Sequence, residues 1–508
     1  MTTRRSVDRL RPNPNVLKSV LQPGKLDLAV LLLGAATLLL VGGAINLGFY
    51  GSRPLVLVAL GTMLVVVAAT AKRMDARSGS RPPLPMLAIV SAIFLWSALF
   101  EPAGLFYRGP ELAASRLVSV ATCLVVFVSL VTRVRRPVLT LVGTAAMATT
   151  SGVLMIRATP RPPIDVWYML QTAAHATLHG RDPYSQMWTS GIPHEVSNHF
   201  TYLPGTAFFL APFYAVFGDV RYGVLAAVIG TGLLIGRVSR WELAPYLGCL
   251  FLIAPRIDYL VEFAWIDPLL LLTVACGVLA LRRGRPGWAV VALAAALFVK
   301  QYALLLLPLG VACREIGLRR TLKVVGLAAL FTTPFVIADP SAFWSGTVTL
   351  LAHRTPRPDS LSIPAALLAH GHKPSLALAA LSLGALLGVL LWRRVGSLVN
   401  FLIALAALMA VFDLTGTWQF FNEWWLAAGY ALLALAAATD PGDAPGSGAK
   451  ESGDRDRDGG IELSHQEVVP GRERPLLAQI GHFARVHRVQ PEAKKVRQTV
   501  GEDVLGAP

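Results

Sequence analysis

The residues best equipped for chemistry lie in one polar stretch, residues 157–204, RATPRPPIDVWYMLQTAAHATLHGRDPYSQMWTSGIPHEVSNHFTYLP. It carries Asp165, Asp182 and Glu195, four histidines (His175, His179, His194, His199) and a dense aromatic set. Asp165 follows a rigid PRPP run and opens an apparent helix, VWYMLQTAAHATLHG. A carboxylate there is either a general base toward a hydroxyl or a helix cap, since Asp is suited to both. Asp182, between Gly180 and Pro183, reads as turn chemistry. Tyr184 and Tyr202 either stack on a ligand or belong to an interfacial aromatic belt. Glu195 with His194, Asn198 and His199 offers oxygen and nitrogen donors for a divalent cation, but their spacing matches no zinc motif. No metal and no cofactor is expected.

Other ionisable residues sit within or beside apolar runs: Arg256, Asp258, Glu262, Asp267 and Lys300. Such groups are costly at membrane depth and tend to face a polar cavity or each other. Asp267, in the run WIDP, is either a cap or a site residue. Lys300 lies between LFV and YALLLL, where it either neutralises a carboxylate or grips a phosphate. His353, Arg354 and Arg357 form a second basic group, and guanidinium forks suit phosphate oxygens.

The elements that position these residues are membrane helices. Hydrophobic residues make up 54% of the 508-residue chain, charged residues 15%, and the mean hydropathy is +0.56. Apolar runs recur at the length of a bilayer-crossing helix, about 17–25 residues. Only helices satisfy every backbone group within such a run, and the alternation of a membrane strand is absent. The net charge of +16 does not indicate nucleic acid. Its basic residues cluster in short connections, Arg133/Arg135/Arg136, Arg282/Arg283/Arg285, Arg314/Arg319/Arg320 and Arg393/Arg394 among them, as cytoplasmic loops do. The four cysteines are scattered in apolar surroundings and form no disulfide or metal pattern.

Placing the basic clusters inside gives a topology. Residues 1–27 form a cytoplasmic N-terminal segment before a retained first anchor, 28–439 a transmembrane domain, and 440–508 a cytoplasmic, largely disordered tail. About 12–13 helices are expected, with long extracytoplasmic loops at 157–204 and 339–374. Two places break the parity. Residues 288–313 must leave and return to one side, which calls for two short helices meeting at Lys300–Tyr302 or for one helix with a cluster outside. Arg237 and Arg240 lie outside unless a piece near Pro204 and Pro212 fails to cross.

The run Asp165…Gln171-Thr-Ala-Ala…Gly180-Arg-Asp-Pro-Tyr184…Phe200-Thr-Tyr-Leu-Pro204 resembles the first-loop signature of GT-C-fold glycosyltransferases. The resemblance is nearest to the polyprenyl-phosphate-dependent mannosyl- and arabinosyltransferases of glycosyltransferase family 87. Further pieces are Trp265-Ile-Asp267-Pro, Phe298-Val-Lys300-Gln-Tyr302, His353-Arg354…Asp359-Ser-Leu-Ser362 and Trp418-Gln-Phe-Phe-Asn422-Glu-Trp-Trp425. The resemblance implies an all-α polytopic GT-C-like bundle in the plasma membrane, acting on its outer face. Its donor would be a polyprenyl-phosphate-linked sugar and its acceptor a cell-envelope glycolipid or polysaccharide, with inversion at the anomeric carbon. Asp165 would be the base. His353, Arg354, Lys300, Tyr184 and Tyr202 would hold donor phosphate or sugar, supported by Asp267, Glu195, Gln171 and Asn422. The alternative from another class is a polytopic transporter or lipid flippase.

Overall fold

The structure, a computed structural model, describes residues 28–46, 48–70, 81–101, 104–106, 109–134, 136–188, 198–353, 355–393 and 395–439. The segments assigned to 1–27 and 440–508 lie outside the described residues, as do His194, Glu195 and Arg354. What is described is all-α: 77% helical, with no strand among the described residues.

In chain order the helices are α1 (Leu28–Val41), α2 (Ser52–Thr70), α3 (Leu84–Phe100), α4 (Pro110–Val131), α5 (Pro137–Ala158), α6 (Asp165–Leu178), α7 (Pro204–Phe217), α8 (Arg221–Val238), α9 (Ala244–Leu252) and α10 (Ile257–Glu262). There follow α11 (Asp267–Arg282), α12 (Pro286–Val299), α13 (Leu306–Ala312), α14 (Gly317–Ala338), α15 (Pro340–Trp344), α16 (Leu350–Ala352), α17 (Ile363–Ala369), α18 (Leu376–Arg393), α19 (Leu398–Thr415) and α20 (Phe421–Ala438). Proline opens α4, α5, α7 and α12, where its fixed φ helps and its missing N–H is not needed. Six of these helices, α2, α4, α5, α8, α14 and α19, are long and apolar enough to cross a membrane alone. Many large apolar side chains on the outer surface are exposed, Leu318, Leu322, Leu330 and Ile337 of α14 for example. In water such a face would be costly, so the chain is a polytopic membrane protein whose lipid supplies the missing cover.

The pole of the bundle is α20. Every one of its residues is buried, and it is rich in alanine, which lets neighbouring backbones approach closely. Helices α1, α19 and α11 pack around it. Close approach recurs between α8 and α9, where a Cβ on Gly248 would lie 2.4 Å from the Gly232 carbonyl oxygen.

Hydrogen bonds sort the connections into two ends. At one end Arg282 Nη2 donates to Ala437 O, Arg314 N to Gly396 O, and Leu398 N to Glu315 Oε1. This arginine-rich end therefore holds both basic clusters that flank residues 288–313. The chain turns back at Lys300, where α12 stops and a 3-10 turn, Gln301–Leu305, leads into α13. Two short helices, rather than one long one, resolve the first parity problem.

The second resolves through α7, which does not cross. Its start docks on the end of α12, with Thr206 Oγ1 donating to Val299 O at 2.8 Å. Its far end, at Gly218 in the left-handed region (φ 74°), turns beside the opposite end of α5. There Arg221 Nη2 donates to Ile156 O and Thr159 O. Helix α8 then runs to the arginine end, where Tyr246 OH donates to Ser129 O and Gly236 meets Leu141. Arg237 and Arg240 thus join the other basic residues, as the charge rule requires.

Candidate functional site

The end opposite the arginines carries both long loops. Helix α6 belongs to it and is clamped along one face. Trp167 Nε1 donates to Asp219 Oδ1 at 3.2 Å, and Gln171 both donates to Gly218 O and accepts from Val220 N. Asp219 is in turn held by Arg221, fully buried, with Nη2 at 2.6 Å from Oδ2. The opposite face, by helical spacing, carries Asp165 and Met169 one turn apart. Asp165 is half-buried at the first position of the helix, and its Oδ1 accepts the Val166 N–H at 2.9 Å. The helix dipole there favours the ionised carboxylate.

Met169 leads from that face to the centre of the site. Its sulfur lies 3.4 Å from Thr201 N, so the returning limb of the first loop rests on α6. Gln301 sits beneath, and its Nε2 donates to Thr201 O at 2.9 Å and to Thr347 O at 3.3 Å. One amide therefore joins the first loop, the second loop and the chain break at Lys300. Gln301→Ala should cost about 1–2 kcal/mol locally through two lost bonds. Hydrogen exchange should then quicken in both 198–203 and 345–349, and unchanged protection in either would deny the bridge.

Below Gln301 lies a buried ionic cluster. Lys300 Nζ is 2.8 Å from Asp267 Oδ1 and 4.0 Å from Glu423 Oε1, and 4.4 Å from the centre of the Tyr302 ring. Asn422 Nδ2 donates to Asp267 Oδ2 at 2.6 Å. Glu423 Oε2 accepts the Phe420 N–H, capping α20. Asp413 on α19 is fully buried, and neither carboxylate oxygen has a hydrogen-bond partner among the described residues. Asp267, Lys300 and Asn422, read singly in the sequence, are one constellation. Asp413 was missed, although an Asp inside VFDLTG is an ionisable residue in an apolar run and so was a signal.

The structure places the other sequence-nominated residues as follows. Tyr184 is 2% exposed, packs edge-on to Phe200 and Phe343, and donates to Tyr202 O; it anchors the loop. Tyr202 is half-buried, its ring 5.9 Å from Lys300 Nζ. Gln171 holds the 218–220 turn. His353 is exposed, with Nδ1 at 3.0 Å from Thr349 O. The second loop continues through Arg357, ion-paired with Asp359 and stacked on Phe420 at 4.7 Å, and Trp418 Nε1 donates to Thr355 O. Among the described residues no group of three or more His, Cys, Asp or Glu could hold a metal ion.

Asp182 adds a titratable feature. Partial burial raises its carboxyl above the usual aspartate value, the Tyr184 N–H pulls it back, and Asp339 raises it again. The folded turn then binds a proton more tightly than the unfolded chain does. Its stability falls as pH rises from the ordinary aspartate value, about 3.9, through the raised one. Protection of residues 182–188 should be greater at pH 4 than at pH 7, and Asp182→Asn should abolish the difference.

These features define a polytopic helical membrane protein with an acidic loop helix set beside a buried ion-pair cluster. Residues 200–415 match the model of glycosyltransferase family 87. The matched segment, less than half of the chain, is similar to that family. It takes in Asp267, Lys300, His353 and Asp413, with Asp165 upstream and Asn422 and Glu423 downstream. No curated protein and no solved structure matches the chain.

Proposed function

We propose that the chain transfers a sugar, mannose or arabinose, from a polyprenyl-phosphate donor to a cell-envelope glycolipid or polysaccharide at the outer face of the plasma membrane. Asp165 takes the proton of the acceptor hydroxyl. The hydroxyl oxygen attacks the anomeric carbon as the bond to the lipid phosphate breaks. The electron pair departs with the phosphate, and the configuration inverts. His353 and Arg354 receive the phosphate charge, since positively charged donors aimed at a developing anion are the largest lever such a site has. Lys300, held by Asp267, acts as a strut beneath the Gln301 bridge between the two loops.

The observation that supports this reading best is the shared face of Asp165 and Met169. It sets the carboxylate one helical turn from the contact with Thr201, which Gln301 joins to the second loop. The test supplies polyprenyl-phosphate [14C]mannose or [14C]arabinose to membranes carrying the chain. Labelled acceptor with inverted linkage is expected. Movement of labelled lipid across the bilayer with no transfer would replace this reading with the transporter.

A further inference from the structure

Two cavities adjoin beside α3. One is apolar and lies among α1, α3, α9 and α20, walled by Leu38, Val90, Phe251 and Leu432. The other lies nearer the loop end among α3, α4, α5 and the α9–α10 turn. Phe94 and Ala254 line both.

The second cavity is mixed, and four charged side chains line it: Arg116 and Arg256 against Glu101 and Asp258. Both carboxylates are already engaged. Ser97 Oγ donates to Glu101, and the Ser119 and Ser151 hydroxyls each lie 3.3 Å from Asp258 Oδ2. The Arg256 side chain is 4% exposed, its Nε 3.3 Å from Glu101 Oε2 and its Nη2 3.3 Å from Ile45 O. Its Nη1 is buried with no hydrogen-bond partner among the described residues. The backbone holds Arg256 in the left-handed region, φ 58°, a conformation uncommon for a residue with a side chain. A buried guanidinium nitrogen without an acceptor is costly unless a ligand supplies one.

We infer that the paired cavities bind a glycolipid, with a hydrocarbon chain in the apolar chamber and a sugar head in the charge-lined one. A chain suits the first because its walls are hydrocarbon. Hydroxyls suit the second because they accept from Arg256 and donate to carboxylates at once. A bare phosphate would gain Arg256 but face Asp258 and Glu101. The site involves neither Asp165 nor the Lys300 cluster, and binding requires no transfer, so a failure of the proposed reaction leaves it standing.

The test uses the full chain in phosphatidylcholine nanodiscs and an alkyl glucoside bearing a diazirine on its chain. Saturable labelling within 86–94 or 247–254 is expected, competed by unlabelled glucoside and not by an alkyl phosphate of equal length. Arg256→Gln should weaken labelling about tenfold, the scale of one lost charged hydrogen bond. Val90→Trp should block it by filling the chain's chamber without touching the head. Non-saturable labelling, or labelling on the lipid-facing residues of α14, would overturn the site. Equal competition by the alkyl phosphate would overturn the sugar head. Were Arg256→Gln to aggregate, the wild-type competition and Val90→Trp would still decide.

Discussion

Asp165→Asn is expected to lower sugar transfer by roughly 10²–10⁴-fold, the contribution typical of a positioned general base. The amide has the shape of the carboxylate, and its oxygen still accepts the Val166 N–H that Asp165 Oδ1 accepts now. Loss of the favourable charge at the start of α6 costs about 0.3–1 kcal/mol at a partly exposed site. Catalysis and stability should therefore separate sharply: membrane content and thermal unfolding nearly unchanged, transfer almost gone. The clamp of Trp167 and Gln171 on the 218–221 turn secures α6 independently of Asp165. A variant that keeps its turnover would sink Asp165 as the base, whatever the family match says of residues 200–415. Loss of protein together with loss of activity would instead make Asp165 a helix-start residue.

The passes of the bundle were legible because hydrocarbon leaves so few choices. Runs of spanning length must be helices, and arginine clusters mark one side. Those two constraints conflicted at residues 288–313 and at Arg237, and each conflict lay where the structure departs from simple crossing: the turn at Lys300 and the non-crossing α7. Side-chain pairings were another matter. Lys300 meets Asp267 and Asn422 meets Asp267 across 33 and 155 positions of chain, and no periodicity encodes such a meeting. The sequence left Lys300 open between a carboxylate and a phosphate, and in the fold its Nζ lies 2.8 Å from Asp267 Oδ1. Tyr184 reads as a ligand-stacking or belt aromatic because its burial depends on Phe200, farther along the same loop, and on Phe335 and Phe343 of α14 and α15. The charge-lined cavity at Arg256 was invisible for the same reason. Its residues are single Ser, Thr, Arg and acidic positions on separate helices; Arg256 and Asp258 stand out as ionisable residues beside an apolar run, but no spacing joins them to Glu101 and Arg116.

Lys300→Met should destabilise the protein by about 3–5 kcal/mol, the usual cost of removing one partner from a buried ion pair. Methionine fills much the same space, so the loss is electrostatic rather than a cavity. It strips Asp267 of its 2.8 Å partner and leaves Asp267, Glu423 and Asp413 together in a buried region with no ammonium. Adding Asp267→Asn to Lys300→Met should restore most of the loss, because neighbouring residues couple and the second change removes the stranded charge. Asp413→Asn, by contrast, should leave stability unchanged or raise it, since both oxygens of Asp413 lack partners among the described residues. Thermal unfolding in detergent reads all three. A clear drop for Asp413→Asn would mean that a bound cation or water stabilises that carboxylate in solution. A Lys300→Met protein of normal stability that needs far more donor for transfer would return the lysine to the phosphate, and Asp267 would then be its tether rather than its partner in stability.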